Sequence, residues 1–195
     1  MVTAYTYVTT GYDTPHTSGK VLTEKDYDTF KDSTRNARAA KILSHLFIED
    51  EWSLWTDGTI ELLKSPEEIL AKYKDRGDIV TFKHRARDCA YDEAEAIFLG
   101  KREDNHQVVD EQVALYKKDG YPEHNGLFET GVMLRHHTPE VIAFNNYWWS
   151  LNCRFSKRDQ LGANYTAWKL GIKVGLFDGT VSSSEDFYIY PHPPR

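Results

Sequence analysis

The stretch SLWTDGTIEL, residues 53–62, sets Asp57-Gly58 between two arms of β-prone residues. Taken alone, it is the commonest short signal for a β-hairpin. A carboxylate at the end of a buried strand is equally a place where a metal ion can be held. What precedes and follows the stretch decides between the two, and with them the fold.

Upstream, TAYTYVT (3–9) is β-branched and aromatic and reads as a first strand leading to Gly11, followed by a polar loop with Pro15 and Gly19. STRNARAAKILSHLF (33–47) reads as a helix, with Ser33 or Thr34 available as its cap and Ala37, Ala40, Leu43 and Phe47 on one side. Downstream, Ser65-Pro66-Glu67-Glu68 opens a second helix that ends by Gly77, and DIVTF (78–82) is a strand. Helices follow from Asp88 to Gly100 and again up to Gly120. GLFETGVMLR is a strand, TPEVIAFNNYWWSLNC and KRDQLGANYTAWKLG are helices, and IKVGLF and DFYIYPH are short final strands. Strands alternating with helices predict an α/β fold with a mainly parallel, mixed sheet, one domain over residues 1–195. In such sheets ligands bind beyond the carboxyl ends of the strands. Three ends then matter: Thr9 to Asp13, Thr56-Asp57-Gly58 and Lys83-His84-Arg85.

With 40% hydrophobic and 28% charged residues the chain is globular in composition. A net charge of −6 argues against a broad nucleic-acid surface and asks any anionic ligand for a local basic pocket. Cys89 and Cys153 form neither a disulfide framework nor a CxxC motif. The first residues lack the pattern of a signal peptide. No run approaches the roughly 18 apolar residues of a transmembrane helix. The expectation is a soluble, cytoplasmic domain, with oligomeric state open.

Several residues are candidates for chemistry. Arg35, Arg38, Lys41 and His45 share one helical face at about 100° per residue. Such a face binds a pyrophosphate or, more commonly, is simply solvated. Gly11, Tyr12 and Asp13 suit either a turn or a nucleotide contact. Asp88, with Arg87 beside it, is a helix cap or a ligand to sugar hydroxyls. Glu129 is a carboxylate inside an apolar strand and needs either a partner, for which Arg135 is available, or a task. Asp159, in the first turn of a helix that Ser156 can cap, serves helix stability or acts as a base. His192 lies in a Pro-rich tail, and a neutral imidazole there can complete an oxygen-rich Mn²⁺ or Mg²⁺ site.

In order, RNARAAKILSHLF, SLWTDGTIEL, HRARDCAYDEAEA, YKKDGYPEHNGLFETGVMLRHH and WWSLNCRFSKRDQL resemble the glycosyltransferase-like domain family of plant mucilage- and cell-wall-related proteins, which has bacterial capsule and viral relatives. The likeness spans residues 35–168. It implies a GT-A-type, Rossmann-like fold that binds a nucleotide-sugar donor, by family habit a UDP-sugar, with a divalent metal. Such enzymes hold metal and diphosphate with an Asp-x-Asp turn; the corresponding Asp57-Gly58-Thr59 has one carboxylate. Carried over, Arg38 and Lys41 meet the diphosphate, Asp57 with Gly58 the donor and Asp57 with His192 the Mn²⁺ or Mg²⁺, Arg87 with Asp88 the donor sugar, and Thr10, Tyr12 and Asp13 the nucleotide. Asp159 and then Glu129 face the acceptor, a glycan or glycoprotein hydroxyl, as candidate bases. The chain is short for a stand-alone transferase and fits the catalytic domain of a longer protein. The alternatives are a metal-dependent sugar-nucleotide hydrolase or phosphoesterase using Asp57, Asp88 and His192, and a carbohydrate-binding module using Tyr147, Trp148 and Trp149.

Overall fold

A computed structural model describes residues 1–11, 14–100 and 105–191. The strands are β1 (Val2–Tyr7), β2 (Lys20–Leu22), β3 (Trp52–Thr56), β4 (Ile60–Leu62), β5 (Ile79–Lys83), β6 (Phe128–His136), β7 (Gly175–Leu176) and β8 (Phe187–Ile189). The helices are α1 (Ser33–Ile42), α2 (Pro66–Tyr73), α3 (Ala90–Leu99), α4 (His106–Lys118), α5 (Pro139–Arg154) and α6 (Asp159–Leu170). Six strands form one sheet in the order β2-β1-β3-β6-β5-β7. The pairings make five of them parallel, with β6 reversed between β3 and β5. This is the mixed, mostly parallel sheet flanked by helices that the α/β, GT-A-like expectation called for. Among the described residues, no helix is long and apolar enough to cross a membrane.

Period-two alternation sends successive side chains to opposite faces. Trp52, Leu54, Val80, Phe82, Val132 and Leu134 pack on one face under Ile69 and Tyr73 of α2. Trp55, Ile79 and Met133 point to the other, under Ala40 and Ile42 of α1, Phe144 and Trp148 of α5, and Ala163 and Ala167 of α6.

Asp57-Gly58 does not close a hairpin. The arms it joins belong to different sheets: β3 pairs with β1 and β6, whereas β4 pairs with β8. Hydrogen bonds from Asp57 N to the Gly131 carbonyl and from Ile60 N to the Asp57 carbonyl, each 2.8 Å, make the turn an exit from the main sheet. Three caps also differ from expectation, and only the first is made by a side chain. Asp32 caps α1, accepting from Thr34 N, in place of Ser33 or Thr34. Cys89, not Asp88, is the N-cap residue of α3, and Arg158, not Ser156, that of α6. Strand β2 falls within the stretch read as loop, and β7 shrinks to two residues of IKVGLF.

The reversed β6 also carries the fold's deepest charge. Arg135 is fully buried, yet it is not the partner of Glu129. Its guanidinium donates to the carbonyls of Ile42 (3.0 Å) and Lys41 (2.6 Å), to Asn145 Oδ1 and to Tyr5 OH. It thus satisfies carbonyls that the end of α1 leaves without intrahelical partners. Replacing Arg135 with Met strands these acceptors and should cost at least about 3 kcal/mol, each buried unsatisfied group being worth about 1–3. Urea unfolding measures this, and Arg135→Lys should recover only part, lacking the planar fork.

Candidate functional site

β1, β3 and β5 end at one edge of the sheet, and the reversal of β6 brings its beginning to that same edge. Between the pairs Thr81–Met133 and Phe82–Glu129 the register slips, leaving Thr130, Gly131 and Val132 without partner residues on β5. Thr81 Oγ1 donates to the carbonyls of Val132 (2.7 Å) and Glu129 (3.2 Å) there. A bulge of this kind re-aims side chains at the end of a strand. Above it opens a cavity of about 700 Å³, lined by α1, the Asp57 turn, the start of β6 and the first turn of α6.

Lys41 is the centre of the cavity floor. Its side chain is 2% exposed, and its ammonium lies 2.6 Å from Asp159 Oδ2 and 3.2 Å from Asp57 Oδ1. The second oxygen of Asp159 stands 3.2 Å from Arg38 Nε, and Thr130 donates to its Oδ2 at 2.8 Å. Burial pushes the Asp159 carboxyl up, but Arg38 and Lys41, with hydrogen bonds from Lys41 and Thr130, hold it well below the usual carboxylate range. Asp57 is more open, its side chain 40% exposed; Oδ1 also accepts from Trp55 Nε1 at 2.8 Å. A Cβ on Gly131 would crowd Ile60 Cδ1 at 3.1 Å and meet Asp57 Oδ2 at an ordinary 3.5 Å, so the glycine relieves the packing of Ile60 beside the turn.

Glu129 has the opposite character. Its Oε2 is buried without a hydrogen-bond partner, and Arg85 approaches Oε1 only to 3.9 Å. Burial raises its pKa, Arg85 offsets part of this, and the charge of Asp57 adds to it.

Arg38, Lys41, Asp57, Gly58, Glu129 and Asp159 therefore meet in one cavity. Other expected residues do not. Arg87 pairs with Glu93 (2.5 Å), Asp88 with His124 (2.8 Å), and Thr10 donates to Glu24 from its backbone and hydroxyl. None of these three lines the cavity. Tyr12, Asp13 and His192 lie outside the described residues. The basic face of α1 divides: Arg35 is tied to the carbonyls of Asn152 and Phe155, and His45 meets the Asn145 amide, leaving Arg38 and Lys41 for the cavity. Arg85, Arg158 and Gln160 also line it. For Arg85 the signal was its place just past the end of β5; for the other two it was proximity to Asp159.

Magnesium and manganese are held by one or two carboxylates plus substrate phosphates. Asp57 Oδ2 is the oxygen open for this, since Oδ1 is taken and Asp159 is fully paired. Thr59 is buried, and its carbonyl accepts from Tyr190 N at 2.8 Å, so the third turn position anchors the chain beyond β8. These residues fit an ion shared with a diphosphate, not one held by the protein alone.

Replacing Asp159 with Asn removes the nearer of the two carboxylates that hold the buried Lys41 ammonium, leaving Asp57 at 3.2 Å, and should cost about 3–5 kcal/mol in chemical denaturation. Its folded pKa lies below the unfolded value of about 3.9. The stabilisation is therefore complete above that pH and lost as pH falls towards the folded value. Asp159→Asn should accordingly flatten the acid limb of the stability–pH curve.

Comparison with known proteins gives the family. Residues 20–184 match the model of the TOD1/MUCI70 glycosyltransferase-like domain. Over 156 residues the chain is 30% identical to the probable hexosyltransferase MUCI70 of Arabidopsis thaliana, covering 74% of this chain but only 27% of that protein. A glycosyltransferase involved in glycosylation of the major capsid of PBCV-1 superimposes with a TM-score of 0.49 at 12% identity, over 91% of this chain and 81% of its own. Mouse xyloside xylosyltransferase 1 gives 0.43 at 12%, over 82% and 63%. From the family match over most of its length, the chain belongs to the TOD1/MUCI70 glycosyltransferase-like domain family.

Proposed function

We propose that this domain transfers a sugar from a nucleoside diphosphate donor, a UDP-sugar by family habit, to a hydroxyl of a glycan or glycoprotein. The observation that carries the reading is the buried Lys41 ammonium beside Arg38, at the end of a strand whose next residue is Asp57. Breaking the anomeric C–O bond leaves charge on the diphosphate, and preorganised cations in a low-dielectric cavity stabilise it. Arg38 turns Nε toward Asp159 Oδ1 at 3.2 Å while its side chain stays 21% exposed, so the terminal nitrogens of the guanidinium supply donors for phosphate oxygens. A divalent ion held jointly by Asp57 and the diphosphate would add charge neutralisation on the leaving group.

The roles of the two candidate bases are exchanged relative to the sequence expectation. Asp159 is neutralised by two cations and is a weak base; its task is to position Lys41 and Arg38. Glu129 has a free, buried oxygen and a raised pKa, the properties of a group that takes a proton from an acceptor hydroxyl. The hydrolase alternative loses support because Asp88 sits on His124, away from Asp57. The binding-module alternative loses it because Trp148 is fully buried and donates to the Asp159 carbonyl.

Incubation with a panel of nucleotide sugars, with and without glycan acceptors, followed by mass spectrometry, should yield a glycoside. Hydrolysis alone with every acceptor would contradict transfer. Glu129→Gln should lower turnover by about 10²–10⁴-fold. Because the base must be ionised, the wild-type rate should fall with decreasing pH at a midpoint above the ordinary glutamate value of about 4.3. This limb should vanish in Glu129→Gln.

A further inference from the structure

A second cluster of metal-ligating side chains lies away from the cavity. Cys89 is the buried N-cap residue of α3, Asp92 stands in the first turn of that helix, and His124 belongs to the connection between α4 and β6. One ligand atom from each lies within 4.8 Å of the others, and none of the three residues lines the large cavity. The Cys89 side chain makes no capping hydrogen bond, so the helix start does not account for its orientation.

Two features hold His124 in place. Its backbone has φ +52°, the one positive value among the described non-glycine residues. A side chain in that region is uncommon and marks sites where the surroundings over-determine the backbone. Its Nδ1 is also 2.8 Å from Asp88 Oδ1. A carboxylate on one ring nitrogen fixes the imidazole and leaves the other nitrogen to bind a metal, the usual support of a histidine ligand.

We propose that Cys89, Asp92 and His124 form a zinc site, supported by Asp88. One sulfur, one nitrogen and one oxygen suit zinc, whereas magnesium, manganese and calcium favour all-oxygen sites. Asp92 and His124 are exposed, which leaves a fourth position for water. The site would fasten the segment after β5, which carries Arg85, to the segment that leads into β6, whose second residue is Glu129. Its task is structural: it sets how closely these two residues face each other across the cavity wall.

Protein stripped with EDTA is titrated by calorimetry with Zn²⁺, without nucleotide, and in parallel with Co²⁺ under near-ultraviolet absorption. One equivalent of zinc should bind, raising the melting temperature, and cobalt should show thiolate charge transfer. Cys89→Ser and His124→Ala should lose the equivalent, Asp88→Asn should weaken it about 10–100-fold, and Asp57→Asn should keep it. Circular dichroism of the apo variants checks their folding, and Asp88→Asn gives a test should a ligand variant fail to fold. Absence of stoichiometric zinc in the wild type would overturn the site. So would folded Cys89 and His124 variants that bind as the wild type does, or loss of binding in Asp57→Asn alone.

Discussion

The Lys41 ammonium, enclosed between Asp159 and Asp57, is the interaction on which the arrangement of this edge depends. It joins α1, the turn after β3 and the first turn of α6, and Thr130 on β6 adds a hydrogen bond to the same carboxylate. Desolvating two charges costs several kcal/mol each, and geometry must offset it. Here Arg38 and Thr130 complete the coordination of Asp159, while Arg135 grips the Lys41 carbonyl from below. The backbone that presents the ammonium is therefore fixed independently of the ion pair it makes. A rigid cation at the floor of a cavity is what a developing diphosphate charge needs, because little reorganisation remains for the moment of reaction.

The same pair explains how an acidic chain, at net charge −6, can offer a site for an anion. At the cavity four cations, Arg38, Lys41, Arg85 and Arg158, meet three carboxylates. Asp159 is consumed in holding cations, and Asp57 shares one oxygen with Lys41. Glu129 alone is left with a buried oxygen that no protein group satisfies. Three carboxylates in one pocket thus acquire three characters from their neighbours: Asp159 is paired with two cations, Asp57 keeps one oxygen open, and Glu129 has a raised pKa.

Much of this was legible in residue order. Alternating strands and helices predicted the α/β sheet, the Ser65-Pro66 start of α2 was readable directly and the structure completes it with Glu68 as a capping box, and Arg38, Lys41, Asp57, Glu129 and Asp159 were each singled out. What local patterns could not supply was long-range pairing. The Asp57-Gly58 turn looked like a hairpin because two β-prone arms flank it, and only the pairing of β4 with β8 assigns those arms to different sheets. The basic face of α1 looked solvated because helical periodicity does not tell which neighbour covers a face; α5 and α6 do so. Arg135 seemed the natural partner of Glu129, but six residues along a strand is far too great a separation, and the guanidinium is engaged by the end of α1. The direction of β6 was likewise invisible, although it is what brings Glu129 beside Asp57.

The central claim is that the cavity above Lys41 receives the donor diphosphate. A crystal structure of the domain soaked with UDP and Mn²⁺ tests it most directly. The account predicts phosphate oxygens within hydrogen-bonding distance of Lys41 and Arg38, with the ion between the phosphates and Asp57 Oδ2. A diphosphate bound elsewhere, for instance on Arg87 beside Glu93, with Lys41 and Asp159 still paired beneath an empty cavity, would contradict it.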